Sequence, residues 1–206
     1  MKKFGSCVRM TKRNLAISEF IQAHKAVVQT LPETPIKRFF TQCHSALSTP
    51  GTPTGNDISN VVPVCDYISE SLKIAANQSS QMQQLSTKFW SLSKLLAWHP
   101  SDRSSDKMGK FYQGHANAVI TGHGGLEQHN FVRFGASIIG PGIEYPNHRH
   151  PPEEGYLVIS EGKWRQGKGS WFQRNSGDTI HNPPNIWHAM KSGDTPLLAV
   201  WMLWTQ

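Results

Sequence analysis

Gly142-Ile143-Glu144-Tyr145-Pro146-Asn147-His148-Arg149-His150-Pro151-Pro152-Glu153-Glu154-Gly155-Tyr156 is the segment from which the rest of the chain can be read. His148 and His150 are two residues apart, so on an extended strand their imidazoles project from one face. Glu154 and Tyr156 repeat that spacing. The Pro151-Pro152 step interrupts the strand between the two pairs, and spacing alone leaves open whether they converge. Imidazole and carboxylate together suit a borderline divalent metal, and a neighbouring strand has to complete the donor set. His188, which follows Asn182-Pro183-Pro184-Asn185-Ile186-Trp187, is the natural candidate.

On either side of this segment the chain reads as strands and turns. Upstream lies the β-rich run Phe131–Ile139, followed by Gly140-Pro141-Gly142. Downstream come Gly155–Ser160, a Glu161-Gly162 turn, Lys163–Arg165, Ser170–Arg174 and the apolar run Leu197–Trp204. Many short strands separated by glycine-rich turns indicate an antiparallel sandwich or small barrel. Before about residue 108 the apolar spacing is helical instead. Leu15, Ile17, Phe20, Ile21, Ala23, Val27 and Val28 recur at steps of three and four, with Thr11 as the expected cap and Pro32 beyond the end. A second helix is expected after Thr34-Pro35, burying Phe39, Phe40 and Cys43, and a third around Ile68, Leu72 and Ile74. A fourth is expected from Gln81 to Trp98. The fold class is therefore α+β: a helical region over 1–108 and a β-barrel over 109–206, forming one globular unit.

The motif segment resembles the first cupin motif, G-x5-H-x-H-x3-E-x6-G. The match runs from Gly142 through Glu154, with the closing glycine one residue late at Gly162. The second motif, G-x5-P-x-G-x2-H-x3-N, is met by Gly177, Pro183 and His188, with Asn185 in place of the inner glycine and Ser192 in place of the final asparagine. The order Tyr145, His148, His150, Glu154, Tyr156, His188 behind a helical half is similar to the cupin lyases that cleave dimethylsulfoniopropionate (DMSP), nearest the DddQ type. That resemblance implies a jelly-roll barrel and one bound divalent transition metal ion, with Zn, Fe, Mn, Co and Ni all admissible. It makes His150, Glu154 and His188 ligands, with His148 as a further ligand that alternates, like Tyr156, between metal and substrate. The implied reaction is β-elimination of the zwitterionic sulfonium carboxylate to dimethyl sulfide and acrylate.

The chemistry is self-consistent. A divalent cation stabilises charge building toward an enolate, and a base removes the α proton. A free tyrosine titrates near 10, and an adjacent cation favours its phenolate, which makes Tyr156 the expected base. Tyr145, His148 and Trp187 are expected to touch substrate, Trp187 through its ring face against the sulfonium. Each has a plainer reading: Tyr156 as a strand tyrosine with its hydroxyl at the rim, Tyr145 as edge packing and His188 as a core histidine. Two other classes stay open, a cupin dioxygenase and a non-catalytic ligand-sensing cupin.

Composition narrows the field further. The 206 residues are 37% hydrophobic and 17% charged, which is a globular mix. No apolar run approaches the roughly 20 residues of a membrane span, and Met1–Met10 lacks a signal-type apolar core, so a cytoplasmic location is expected. The three cysteines, Cys7, Cys43 and Cys65, have no close pairing and read as free thiols in a reducing compartment. The net charge of +7 comes from scattered basic residues, which argues against a nucleic-acid partner and for solubility or mild steering of a carboxylate. The helical half is expected to cap the pocket, to form a homodimer, or both.

Overall fold

The computed structural model describes residues 13–55, 59–101 and 109–206. Helix α1 (Leu15–Thr30) is capped by Asn14, whose side chain accepts from the Ala16 amide; the expected cap Thr11 lies outside the described residues. Helix α2 (Pro35–Leu47) starts where Thr34 caps and Pro35 takes the first turn, and it buries Phe39, Phe40 and Cys43 as the spacing indicates. A 3₁₀ turn (Pro63–Tyr67) leads into α3 (Ile68–Ala76), followed by α4 (Ser80–Ser93) and the short α5 (Lys110–Gln113).

Helix α4 stops five residues short of the Trp98 expected from periodicity. The Trp98 indole N–H donates to the Ser93 carbonyl, while the Trp98 and His99 amides donate to the Asn60 and Asn117 carbonyls. Pairing with distant backbone outcompetes continued helix here, and Leu95 is left exposed.

One short strand, β1 (Thr52–Pro53), lies between α2 and the 3₁₀ turn, and ten follow α5 among the described residues: β2 (His115–Thr121), β3 (Glu127–Gln128), β4 (Val132–Ile139), β5 (Glu144–His148), β6 (Glu153–Val158), β7 (Gly162–Gln166), β8 (Phe172–Arg174), β9 (Thr179–Asn182), β10 (His188–Lys191) and β11 (Leu197–Trp204). They form a seven-stranded sheet in the order β1-β3-β2-β4-β11-β6-β9 and a four-stranded sheet in the order β5-β10-β7-β8. Pairing is antiparallel apart from one parallel step between β2 and β3. Strand β2 had no clear signal in the sequence. Almost all its residues are buried, so the apolar–polar alternation that marks a half-exposed strand is missing.

The large sheet is covered on both faces. One face packs on the helices, with Phe20 of α1 stacked 5.3 Å from Phe134 of β4 and with Leu157, Val200 and Met202 in the same cluster. The other face closes the barrel interior around Val119, Tyr145, Tyr156, Trp164, Ile180, Met190 and Trp201. Strand β11 is therefore buried along nearly its whole length and reads as a continuous apolar run. The boundary drawn at 108 and 109 adjoins residues 102–108, which lie outside the described ones. Among the described residues no helix is long and apolar enough to cross a membrane. Cys43 and Cys65 are buried free thiols, and burial pushes the Cys43 thiol up to about 12; Cys7 lies outside the described residues.

Candidate metal centre and active-site cavity

Strand β6 aims Glu154 and Tyr156 into the barrel and Gly155 outward. A Cβ on Gly155 would stand 2.7 Å from Ile36 and 2.8 Å from Phe40, so glycine lets α2 lie directly behind the site. The Pro151-Pro152 step does not separate the two pairs of residues. The Asn185 amide donates to the His150 carbonyl at 2.9 Å, tying the second motif's turn to the first. Asn185 has φ of 60°, the left-handed conformation a glycine would take there and one that asparagine tolerates. Ser192, the other departure from the motif, donates its hydroxyl to the Gly140 carbonyl and accepts the Ile143 amide, holding the loop ahead of the histidines. The substitutions thus preserve the loop geometry by other bonds.

The outcome is a compact donor set. The Nε2 atoms of His150 and His188 each lie 3.3 Å from one Glu154 carboxylate oxygen, and donor atoms of the three residues fall within 4.8 Å of one another. Both rings point Nδ1 at a backbone carbonyl, His150 at Pro152 and His188 at Ile186, each at 3.0 Å. A carbonyl only accepts, so Nδ1 carries the proton and a neutral ring turns its Nε2 lone pair toward the carboxylate. Lone pairs of two imidazoles and a carboxylate facing one another repel unless a cation lies among them, so these residues fit a divalent metal. The Nε2 of His188 is buried and makes no hydrogen bond among the described residues, as a ligand atom would. Burial alone would raise the Glu154 carboxyl, but positive charge at this spot, carried by His150 and His188 when protonated, outweighs it and holds the group well below the usual carboxylate range; a bound cation would supply the same charge to neutral rings.

Asn182 completes the setting. It faces Glu154 across the β6–β9 register and donates to its carboxylate at 2.9 Å, while Gln166 donates to Asn182 at 2.6 Å. Neither residue stood out in the sequence, because an amide on a different strand from its client has no local spacing signal.

His148 stands beside this triad and outside it. It pairs with His188 across the β5–β10 register, with ring centroids 4.1 Å apart, and its Nδ1 meets the Pro146 carbonyl at 2.9 Å. Tyr145 stacks on His148 at 4.2 Å, and the buried His115 lies 4.6 Å from Tyr145. Burial lowers His115 to about 3, which makes it a neutral packing partner. Trp187 is placed differently from its expected contact with substrate. It is 46% exposed, has the Arg149 guanidinium 4.8 Å over its ring and is absent from the residues described as lining the central cavity. The neighbouring His188 turns inward, and on an extended chain that sends Trp187 outward.

The cavity beside the triad holds about 330 Å³ and is lined by His148, His150, Glu154, Tyr145 and Tyr156 on the metal side. Trp201, Arg133, Asn117 and Ser137, on the large sheet alongside Glu154 and Tyr156, continue the lining. A larger groove of about 670 Å³ runs between α2 and the β3–β4 turn, but its one titratable side chain, His129, accepts the Phe131 and Val132 amides and serves the turn.

The sequence model of the dimethylsulfoniopropionate lyase family matches residues 36–199. The chain belongs to the DMSP lyase family. This DMSP lyase family member superposes on a chain from the crystal structures of the DMSP lyases RdDddP and RnDddQII with a TM-score of 0.70 at 22% identity, covering 92% of each chain. It superposes on the DMSP lyase DddQ from Ruegeria pomeroyi DSS-3 with a TM-score of 0.75 at 18% identity, covering 93% of this chain and 92% of that one. At these identities the likeness shows a shared fold, helical half included. No curated protein matches the chain.

Proposed function

We propose that the protein cleaves DMSP to dimethyl sulfide and acrylate by β-elimination, with Tyr156 as the base. The observation that carries this reading is a phenol in the same cavity as two members of a metal-type triad, in a chain of the DMSP lyase family. Tyr156 follows Glu154 by two residues on β6, so its ring enters the same space as the ligands. A bound divalent ion, held by His150, Glu154 and His188, supplies Lewis-acid stabilisation of the substrate carboxylate.

Tyr156 as phenolate takes the α proton, the C–S bond breaks, and its electron pair leaves on sulfur, turning the sulfonium into neutral dimethyl sulfide. Tyr145 and His148, stacked on each other, flank the substrate. A cavity of about 330 Å³ suits a substrate this small and leaves little room for bulk water. A dioxygenase or a sensor has no use for a base at Tyr156, and that separates the readings. Purified protein loaded in turn with Zn, Mn, Fe, Co and Ni and mixed with DMSP is expected to release dimethyl sulfide with at least one metal. Silence with all five would refute the lyase. Tyr156→Phe should lower turnover roughly 10²- to 10⁴-fold at unchanged metal content; retained turnover would move the base elsewhere.

A further inference from the structure

The cavity wall that carries Glu154 and Tyr156 continues across the large sheet to a cation that the elimination chemistry above does not use. Arg133 projects from β4 into the interior, in the cross-strand row Arg133–Leu203–Glu154 that spans β4, β11 and β6. Two strand spacings separate Arg133 from Glu154, roughly 9.5 Å between backbones. Side chains reaching inward from both ends of that row bring a guanidinium within the span of a small acid held at the triad. The Arg133 Nε is buried and makes no hydrogen bond among the described residues. Burial disfavours its charge, and among the described residues no carboxylate offsets that. The one carboxylate lining the cavity among the described residues, Glu154, is engaged by His150, His188 and Asn182.

The guanidinium is also held in place. Its carbon lies 5.7 Å from the Trp201 ring centroid. Trp201 is anchored in turn, donating its indole N–H to Ser137 at 3.1 Å, while Ser137 donates to Asn117. Trp201 is the direct cross-strand partner of Tyr156. A partly buried guanidinium whose Nε makes no hydrogen bond among the described residues, on an anchored aromatic platform next to the expected base, is prepared for an anion that arrives with the ligand.

We propose that Arg133 is the carboxylate anchor of the substrate site, gripping the acid group so that the adjacent α-carbon faces Tyr156. The same positive charge repels the sulfonium and turns that end of the zwitterion toward the Tyr145–His148 wall. Arg133 thereby sets both orientation and class of ligand: a small carboxylate, with any cationic substituent at the far end. This inference rests on the lyase reading for the identity of the substrate, but not for the binding of a carboxylate.

The test compares the metal-loaded full chain with Arg133→Met, which keeps the stem, Arg133→Gln as a second neutral variant, and Arg133→Lys, which keeps the charge. With DMSP, loss of the guanidinium should raise KM roughly 10- to 100-fold and affect kcat less, with partial recovery in the lysine variant. Propionate, followed by NMR titration, should lose affinity by a similar factor in the neutral variants, whereas neutral propionamide should bind all four proteins alike. Melting temperatures identify any variant that fails to fold, and the remaining neutral variant then decides. A wild type that releases dimethyl sulfide while a folded neutral variant keeps KM and propionate affinity within about twofold would overturn the anchor. A wild type that releases none, yet binds propionate through Arg133, would overturn the lyase reading and leave the anchor standing.

Discussion

Asn182 has a single job, to hold one carboxylate oxygen of Glu154 in place while the two imidazoles approach it. Groups behind a metal ligand set its orientation and basicity, so Asn182→Ala should weaken metal binding about 10- to 100-fold, measured by competition with a chromophoric chelator. The three inward histidines share one local device. His148, His150 and His188 each place Nδ1 against a carbonyl two residues away, and two of those carbonyls belong to prolines. The residue types of that device are visible in the sequence, and the choice of ring nitrogen is visible only in the folded chain. Tyr156 was legible from its spacing to Glu154. Arg133 was not, because nothing near it in the chain differs from an ordinary strand residue.

At the scale of elements, the helical half and the site meet at Gly155. A side chain there would press into Ile36 and Phe40 of α2, and Gly155→Val should destabilise the fold by about 1–3 kcal/mol in chemical denaturation. The α1–α2 pair carries a second testable feature. His24 and His44 meet at 3.0 Å inside the helical core, and burial, then Lys25, lowers His44 to about 4. The unfolded residue titrates near 6.5, so the unfolded chain binds more protons between roughly pH 4 and 6.5. Stability from keeping His44 neutral is thus full above that window and falls as the pH drops through it, by up to about 3 kcal/mol at its lower edge. Melting curves across the window should fall more steeply for the wild type than for His44→Gln. Helices α1 and α2 were readable because each has one buried stripe and a local cap. The end of α4 and the whole of β2 were not, since backbone pairing with remote residues decides the first and burial on both faces erases the pattern of the second.

Across the whole molecule, the donor set joins β6 to β10 and the loop before β6 to the turn before β10. A metal bound there links segments that are far apart in sequence and is available only to the folded chain, so its binding energy adds to stability. Stripping the metal with a chelator should lower the melting temperature, and restoring it should reverse the loss; at a thousandfold excess over Kd the contribution is about 4 kcal/mol. The amino-acid sequence by itself determined the helical and β halves, the His-x-His and Glu-x-Tyr pairs and the family they resemble. Each of these rests on spacing within a few residues, and strand and helix periods turn spacing directly into a shared face. Only the tertiary structure decided which donors meet: it set His148 beside the triad, turned Trp187 outward, and brought Asn182 and Arg133 to the site. Those placements depend on strand order and register, which arise from packing the entire sheet and leave no trace in any one stretch of chain.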